Sequence, residues 1–176
     1  VYIGGGADQS NCSDAVNWYG NTPPQSFENV VFGSTQPTKG CVWNVLLPFG
    51  GLGSVRFLPA YQGIFTWNIA FTSVTGSFNI AGGTVTMGGD LNLELGGDWL
   101  QTGGKVELTV GTVTFRSNGA QTFSQMPGSF FRNVRMQNAA GTVTTGSDVQ
   151  INGNFTPATR YRNALAGHTL RLRGEL

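Results

Sequence analysis

Charge is the scarcest thing in this chain. Only 11% of its 176 residues are charged, against roughly a quarter in an average globular protein. Lysine occurs twice, histidine once, cysteine twice and methionine three times. The shortage of charge excludes a charged disordered tail, because such segments need high net charge and little apolar content. Ala, Glu, Lys and Leu do not dominate, which excludes a helical bundle. No apolar run approaches the ~18 residues of a membrane-spanning helix. One histidine and one cysteine pair leave no metal site of the usual Cys/His spacing. What fills the space is 27 glycines together with Thr, Asn, Ser, Gln and β-branched residues, a mixture that favours strands and sharp corners. With 39% apolar residues the chain has material for one core, and it reads as a single all-β domain.

The net charge of +1 is unevenly spread. Residues 1–100 hold two bases, Lys39 and Arg56, against six acids; residues 101–176 hold eight bases against three acids. The bases are scattered over some sixty residues rather than clustered, so no nucleic-acid footprint is read from them. In an elongated fold the same asymmetry gives an acidic end and a basic end. Cys12 and Cys41 are an even pair. Free thiols are one reading; the low lysine content and the Thr/Asn/Gly richness suggest a secreted chain, in which a Cys12–Cys41 disulfide is expected. The opening Val1-Tyr2-Ile3-Gly4 lacks the basic start and apolar stretch of a secretory leader, as in a processed chain or an excised segment.

Internal repetition decides the architecture. Gly-Gly steps fall at 82/83, 88/89, 96/97 and 103/104. Between them run short alternating segments: Thr84-Val85-Thr86-Met87, Leu91-Asn92-Leu93-Glu94-Leu95 and Lys105-Val106-Glu107-Leu108-Thr109-Val110. Period-two alternation sends Val85, Met87, Leu91, Leu93, Leu95, Val106, Leu108 and Val110 to one side. Further inward candidates are Val113, Phe115, Val134, Met136, Val149, Ile151, Phe155, Leu170 and Leu172. Gly82-Gly83-Thr84-Val85 recurs as Gly103-Gly104-Lys105-Val106, 21 residues on. Residues 83–93 also align without a gap to 141–151, a shift of 58, which three coils of roughly 19–21 residues would span. These spacings predict a parallel β-helix (a β-solenoid), right-handed by the default for parallel crossovers, with three short strands per coil. Ser117–Pro127 is expected to be an inserted loop. Residues 1–50, which carry both cysteines, Trp18, Trp43 and three prolines, are read as an N-terminal cap, and 51–176 as the coils.

Two stretches carry a family resemblance. Asp14-Ala15-Val16-Asn17-Trp18-Tyr19-Gly20, with Pro24 and Asn29-Val30-Val31-Phe32 after it, resembles the opening of many large bacterial surface proteins. Gly111-Thr112-Val113-Thr114-Phe115, Gly119-Ala120-Gln121-Thr122-Phe123 and Phe131-Arg132-Asn133-Val134 are similar to repeats of autotransporter-like and adhesin-like extracellular β-helices. The resemblance implies a structural module at the cell surface or outside the cell: a rigid rod or fibre subunit that supports adhesion.

Several side chains are weighed for chemistry. Asp90, Asn92, Glu94 and Asp98 put acids on or near one outward face, as a carboxylate pair for glycoside cleavage would require; ordinary solvated strand charge is the preferred reading. Calcium at the Gly-Gly-Asp steps is set aside because the full nonapeptide pattern is missing. Thr84/Thr86, Thr112/Thr114 and Thr142/Thr144 would suit an ice-ordering face only if they recurred on consecutive coils. His168 has no recognisable nucleophile beside it. Trp67, Trp99 and Tyr61 would stack on sugar rings if exposed, but burial is expected. The sequons at Asn11 and Asn154 are discounted. No residue is assigned a catalytic role, and no cofactor or metal is expected. The expected partner is another copy or neighbouring coils, through solenoid ends left with unpaired strand edges, with surface glycans as a further partner and neither nucleic acid nor a membrane span involved. The alternative function is a carbohydrate-binding or polysaccharide-degrading β-helix.

Overall fold

The computed structural model describes residues 1–2, 11–33, 38–45, 47, 50–138, 141–157, 163–164 and 167–174. The chain winds as a β-solenoid of about six turns in which every paired strand runs parallel to its neighbours. Each turn has three flat sides. Face A stacks Val30–Phe32, Val55–Phe57, Phe78–Ile80, Trp99–Gln101, Gln121–Ser124, Val143–Thr145 and Asn163–Ala164. Face B stacks Cys41–Trp43, Ile64–Trp67, Thr84–Met87 and Lys105–Glu107, and then, beyond a break, Val149–Ile151 and Leu170–Leu172. Face C stacks Phe71–Val74, Asn92–Leu95, Thr112–Phe115, Asn133–Met136 and Phe155–Thr156. The break in face B is spanned by single bridges, Glu107 to Phe130 and Phe131 to Ile151. There the strand is reduced to two residues behind the corner Pro127-Gly128, so Phe130 pairs with the coil before and Phe131 with the coil after.

The register explains why the sequence alternates. Partners across face B are Phe65, Val85 and Val106, and across face C Leu93, Val113 and Val134, each about 21 residues apart and each buried. Like stands on like, because a coil rise near 4.8 Å brings equivalent side chains into van der Waals contact. Flat rings exploit this spacing best. Phe32 and Phe57 stack at 4.6 Å and 7°, Phe78 and Trp99 at 4.8 Å and 3°, and Trp43 lies over Trp67 at 5.6 Å. The expected inward residues are buried in the main. Leu91, Val110, Leu170 and Leu172 sit only half-covered at the margin of the core.

Three details differ from the expectations. The 58-residue alignment does not measure three coils, because it carries Thr84–Met87 on face B onto Val143–Thr145 on face A. All three sides share one local grammar of corner glycine followed by alternating strand, so self-similarity appears between sides as well as between coils. The 21-residue shift is the true coil length. Ser117–Pro127 is not one loop. Gln121–Ser124 within it forms a face A strand, held by Phe123 lying inward between Trp99 and Thr145. Finally, strands at Val30–Phe32 and Cys41–Trp43, within the segment read as a cap, pair with the next coil as any other strand does.

Ahead of Val30 the chain folds across the open end of the first coil. Tyr2 bridges Phe32 and Trp18, and Asn11 bridges Val42, so the outer edges of the first strands on faces A and B are occupied. A disulfide joins Cys12 to Cys41 with Cα atoms 5.5 Å apart. It closes a loop of sequence separation 29, worth roughly 3–4 kcal/mol in the chain-entropy account. Trp18 Nε1 donates to the Cys12 carbonyl at 2.6 Å, anchoring this crossing to the core beneath.

The corners are tight enough to demand glycine. At Gly104, φ is +63° and a Cβ would stand 2.5 Å from the Gly83 carbonyl oxygen one coil away. Gly104→Ala is therefore expected to cost about 1–3 kcal/mol, combining a left-handed backbone with a backbone collision. At Gly119 the nearest atom would be Ser117 Oγ at 3.8 Å, so Gly119→Ala serves as the control. Denaturant unfolding of the two variants checks the difference; equal midpoints would contradict the stacked-corner geometry.

Candidate functional site

The outward acids are spent on structure. Asp98 begins a corner, and its Oδ1 accepts the Thr122 N–H of the next coil at 2.7 Å. The same position one and two coils earlier is serine. Ser77 Oγ accepts from Asp98 N at 3.1 Å, and Ser54 Oγ accepts from Ser77 N at 3.2 Å. Asp148 does likewise for Thr169 N at 2.8 Å, and Asn133 Oδ1 for Asn154 N at 2.9 Å. Each such oxygen satisfies a corner N–H that no strand ladder reaches. Glu94 on face C, mostly covered, pairs with the exposed Arg116 one coil on at 2.9 Å; with one partner in solvent the contact is worth about 1 kcal/mol. Asn92 Oδ1 accepts from the Thr114 hydroxyl at 2.8 Å. Asp90 is exposed at the corner before this strand. Glu94 borders a shallow groove of about 470 Å³ together with Ser73, Arg116 and Gln137, and Asp90 is not among its walls. The expected carboxylate pair therefore does not flank a common cleft. Among the described residues no three metal-ligating side chains converge.

The remaining candidates fall into place by burial. Trp67, Trp99 and Tyr61 are inside the core, out of reach of any sugar. Thr84/Thr86, Thr112/Thr114 and Thr142/Thr144 lie on faces B, C and A respectively, so they form no common threonine plane. Among the described residues the exposed aromatic side chains are Tyr19 (79% exposed) and Phe27 (61%), beside Pro24 and Val1 around a groove of about 460 Å³ near the chain's first coil. Phe27 has φ +66°, a strained conformation for a bulky residue. Its N–H donates to Gly51 O at 2.7 Å, and its ring lies so close over Gly50 that a side chain there would collide.

His168 does meet polar company. It borders a groove of about 450 Å³ along the corner between faces A and B, shared with Asp148, Gln150 and Arg171 and floored by Met126 and Pro127. Ser147 on its wall accepts from Gln125 N at 2.6 Å and donates to the Asp148 carbonyl at 3.2 Å. Ser129 is buried and its Oγ accepts from both Gln101 Nε2 and Val106 N. Both hydroxyls are thus engaged in the scaffold, and no nucleophile–histidine hydrogen bond forms among the described residues.

Sequence reasoning overlooked the buried amides. Gln101 and Gln125 occupy the inward column of face A that Phe32, Phe57 and Ile80 fill in earlier coils. Gln101 donates to Ser129 Oγ at 2.8 Å and accepts from Met126 N at 3.1 Å. Gln125 accepts from Gln150 N at 2.6 Å, while its buried Nε2 has no partner. At the opposite corner Gln121 donates to Gly97 O at 2.6 Å and Leu95 O at 3.2 Å, and accepts from Asn138. Asn138 in turn donates to Gly119 O and accepts from Gly141 N. These amides tie three successive coils together at two corners. A glutamine at a strand margin every twenty-odd residues was the available signal.

Two phenols are perturbed. Burial, with the Asp14 carboxylate adding to it, pushes Tyr2 from its ordinary 10.0 up to about 12. Burial pushes Tyr61 higher still, with Tyr2 adding to it. Tyr2 donates its hydroxyl proton to Gly40 O at 2.8 Å.

The chain matches no protein family, no curated protein and no solved structure.

Two outcomes are expected. Gln121→Ala removes three inter-coil hydrogen bonds from a buried corner and should cost about 2 kcal/mol or more, read by denaturant unfolding; a change within about 0.5 kcal/mol, as at an ordinary surface position, would contradict the stitching role. Because the folded state favours the neutral phenols, their contribution is complete below pH 10 and is lost as pH rises through about 12 at Tyr2. Thermal melts should be level in this respect below pH 10 and fall above it, with late tyrosinate absorbance appearing as the fold is lost.

Proposed function

We propose that the chain is an extracellular structural module, a rigid segment of a rod or fibre that supports adhesion at a cell surface. The observation that carries this reading is the parallel stacking of three faces, two of them continuous and the third bridged at one break, around a core of registered side chains. Nearly every strand hydrogen-bonds to the coils above and below, so bending requires many ladder bonds to yield together. The Cys12–Cys41 disulfide favours an oxidising location. Asp98 and Asp148 accept corner N–H groups, and Glu94 and Glu107 form ion pairs, which suits a scaffold role.

Self-association belongs to the same reading. The first strands of faces A and B have their outer edges covered by Tyr2 and Asn11. Phe155–Thr156, Asn163–Ala164 and Leu170–Leu172 each pair on one side only among the described residues. Strand edges of this kind accept another strand readily, so the growing surface of an assembly is the last coil, meeting either a second copy or further coils of a longer chain. The expected acidic end does not form among the described residues: Asp90, Glu94 and Asp98 lie in middle coils, and Asp14 and Glu28 of the first coils are balanced by Lys39 and Arg56. Sedimentation across a concentration series, with electron microscopy of the same samples, tests the proposal. Concentration-dependent assemblies that weaken with Leu172→Lys are expected; a monomer at every concentration would remove self-association from the reading.

A further inference from the structure

The corner groove between faces A and B of the later coils is the described surface feature that combines a concave shape with convergent donors, acceptors and an apolar floor. It runs across three successive coils: Gln125 and Met126 from one, Asp148 and Gln150 from the next, His168 and Arg171 from the last. Such a groove is open along its length and suits a linear ligand crossing the coils better than a compact one.

Three observations say what that ligand carries. The first is charge. From residue 121 onward the described residues include four arginines, Arg132, Arg135, Arg171 and Arg173, all exposed, and one acid, Asp148. Arg171 stands in register with Gln150, so one arginine and one amide face outward side by side at the groove's edge. No ion pair joins Arg171 to Asp148 among the described residues. The site is therefore attractive to a carboxylate, which a guanidinium holds through two parallel hydrogen bonds. The second is the apolar floor. Met126 is 37% exposed and lies beside Pro127, a combination that covers the C–H face of a sugar ring and offers nothing to a phosphate. The third is the mixture of polar groups. Asp148 keeps a carboxylate oxygen beyond the one bound to Thr169 N, and Gln150, whose Nε2 donates to Asn152 Oδ1, keeps its Oε1 as an acceptor. Hydroxyl groups, which donate and accept, satisfy such a set; a ligand made only of anionic acceptors would be repelled by Asp148.

We propose that this groove binds a linear acidic polysaccharide of the uronate class, with Arg171 holding a ring carboxylate, Asp148 and Gln150 the ring hydroxyls, and Met126 the apolar face of one sugar. The inference rests on the reading of the chain as an adhesive surface module and assigns that adhesion a ligand. It does not require self-association.

The test is titration of the purified full chain, at a concentration where it is monomeric, with short oligogalacturonates, followed by calorimetry and by the NMR shift of the Met126 methyl. Matched neutral gluco-oligosaccharides and inorganic sulfate are run in parallel. Oligogalacturonate should bind while the neutral sugar and sulfate do not. Arg171→Ala and Met126→Ala should each weaken binding by about tenfold or more, the worth of one charge-assisted contact or one stacking face, with unfolding midpoints unchanged. Lys105→Ala, on an earlier coil and paired with Glu107 at 2.6 Å, should leave binding intact. Absence of oligogalacturonate binding overturns the proposal. So does binding that Arg171→Ala leaves intact, or that Lys105→Ala weakens equally, since either places the ligand elsewhere on the basic surface. Failure here with assembly intact leaves the rod standing, and failure of assembly with binding intact leaves the groove standing.

Discussion

The structure depends on one constraint: a strand three or four residues long has no partner within its own coil. Its N–H and C=O groups are satisfied by strands 20 to 25 residues away on either side, so a single turn of this chain has nothing to hold it. Every other feature follows from that dependence. Side chains must repeat in kind because they stand directly on their equivalents. Corners must be small because the next corner lies within van der Waals distance. Open ends must be covered, as Tyr2 and Asn11 cover the first coil.

Buried polarity follows from the same geometry. A corner interrupts the ladder and leaves backbone groups pointing at the neighbouring coil. The serines, aspartates and asparagines at these corners supply the missing acceptors, each from a position about one coil away. The inward glutamines go further and replace aromatic and aliphatic side chains in the column itself. Gln101 follows Ile80 in the register, at the point where the chain makes the Pro127-Gly128 corner and face B loses its regular strand. A purely apolar residue there would leave Met126 N without its acceptor and Ser129 Oγ, which accepts from Val106 N, without the Gln101 donor. The irregular corner and the buried amides are one solution.

This division also marks what the amino-acid sequence reveals. The coil length, the three-sided winding and the core residues from Val85 to Phe155 are legible because they rest on local signals: glycine at corners and alternation between them. The 58-residue alignment misleads because those signals recur on every side, and sequence cannot say which side a strand occupies. Gln121 and Gln125 are lost in the segment read as an inserted loop because the groups that satisfy them lie 17 to 26 residues away. The strand Gln121–Ser124 is hidden for the same reason, with one aromatic, Phe123, to declare it. The groove beside His168 is illegible in principle. Its walls come from three coils, and only winding brings 126, 148 and 171 together. Asp90 and Glu94, close along the chain, line no common groove, in keeping with the preferred reading of ordinary strand charge.

The rings are unequally shared along the axis. Trp18, Phe32, Trp43, Phe57, Phe65, Trp67, Phe78 and Trp99 interlock through the earlier coils and Phe131, Phe123 and Phe115 continue from Trp99, whereas beyond them Phe155 is the last buried ring among the described residues and Leu170 and Leu172 are half-covered. Since each coil touches only its neighbours, cohesion declines in the same direction. Amide protons should exchange earlier at 170–172 than around 55–67, and a molecule pulled by its ends would unzip from the aliphatic side inward. During synthesis the order runs the helpful way: the aromatic turns leave the ribosome first and offer a finished edge, so each later turn is laid onto a template rather than having to nucleate for itself.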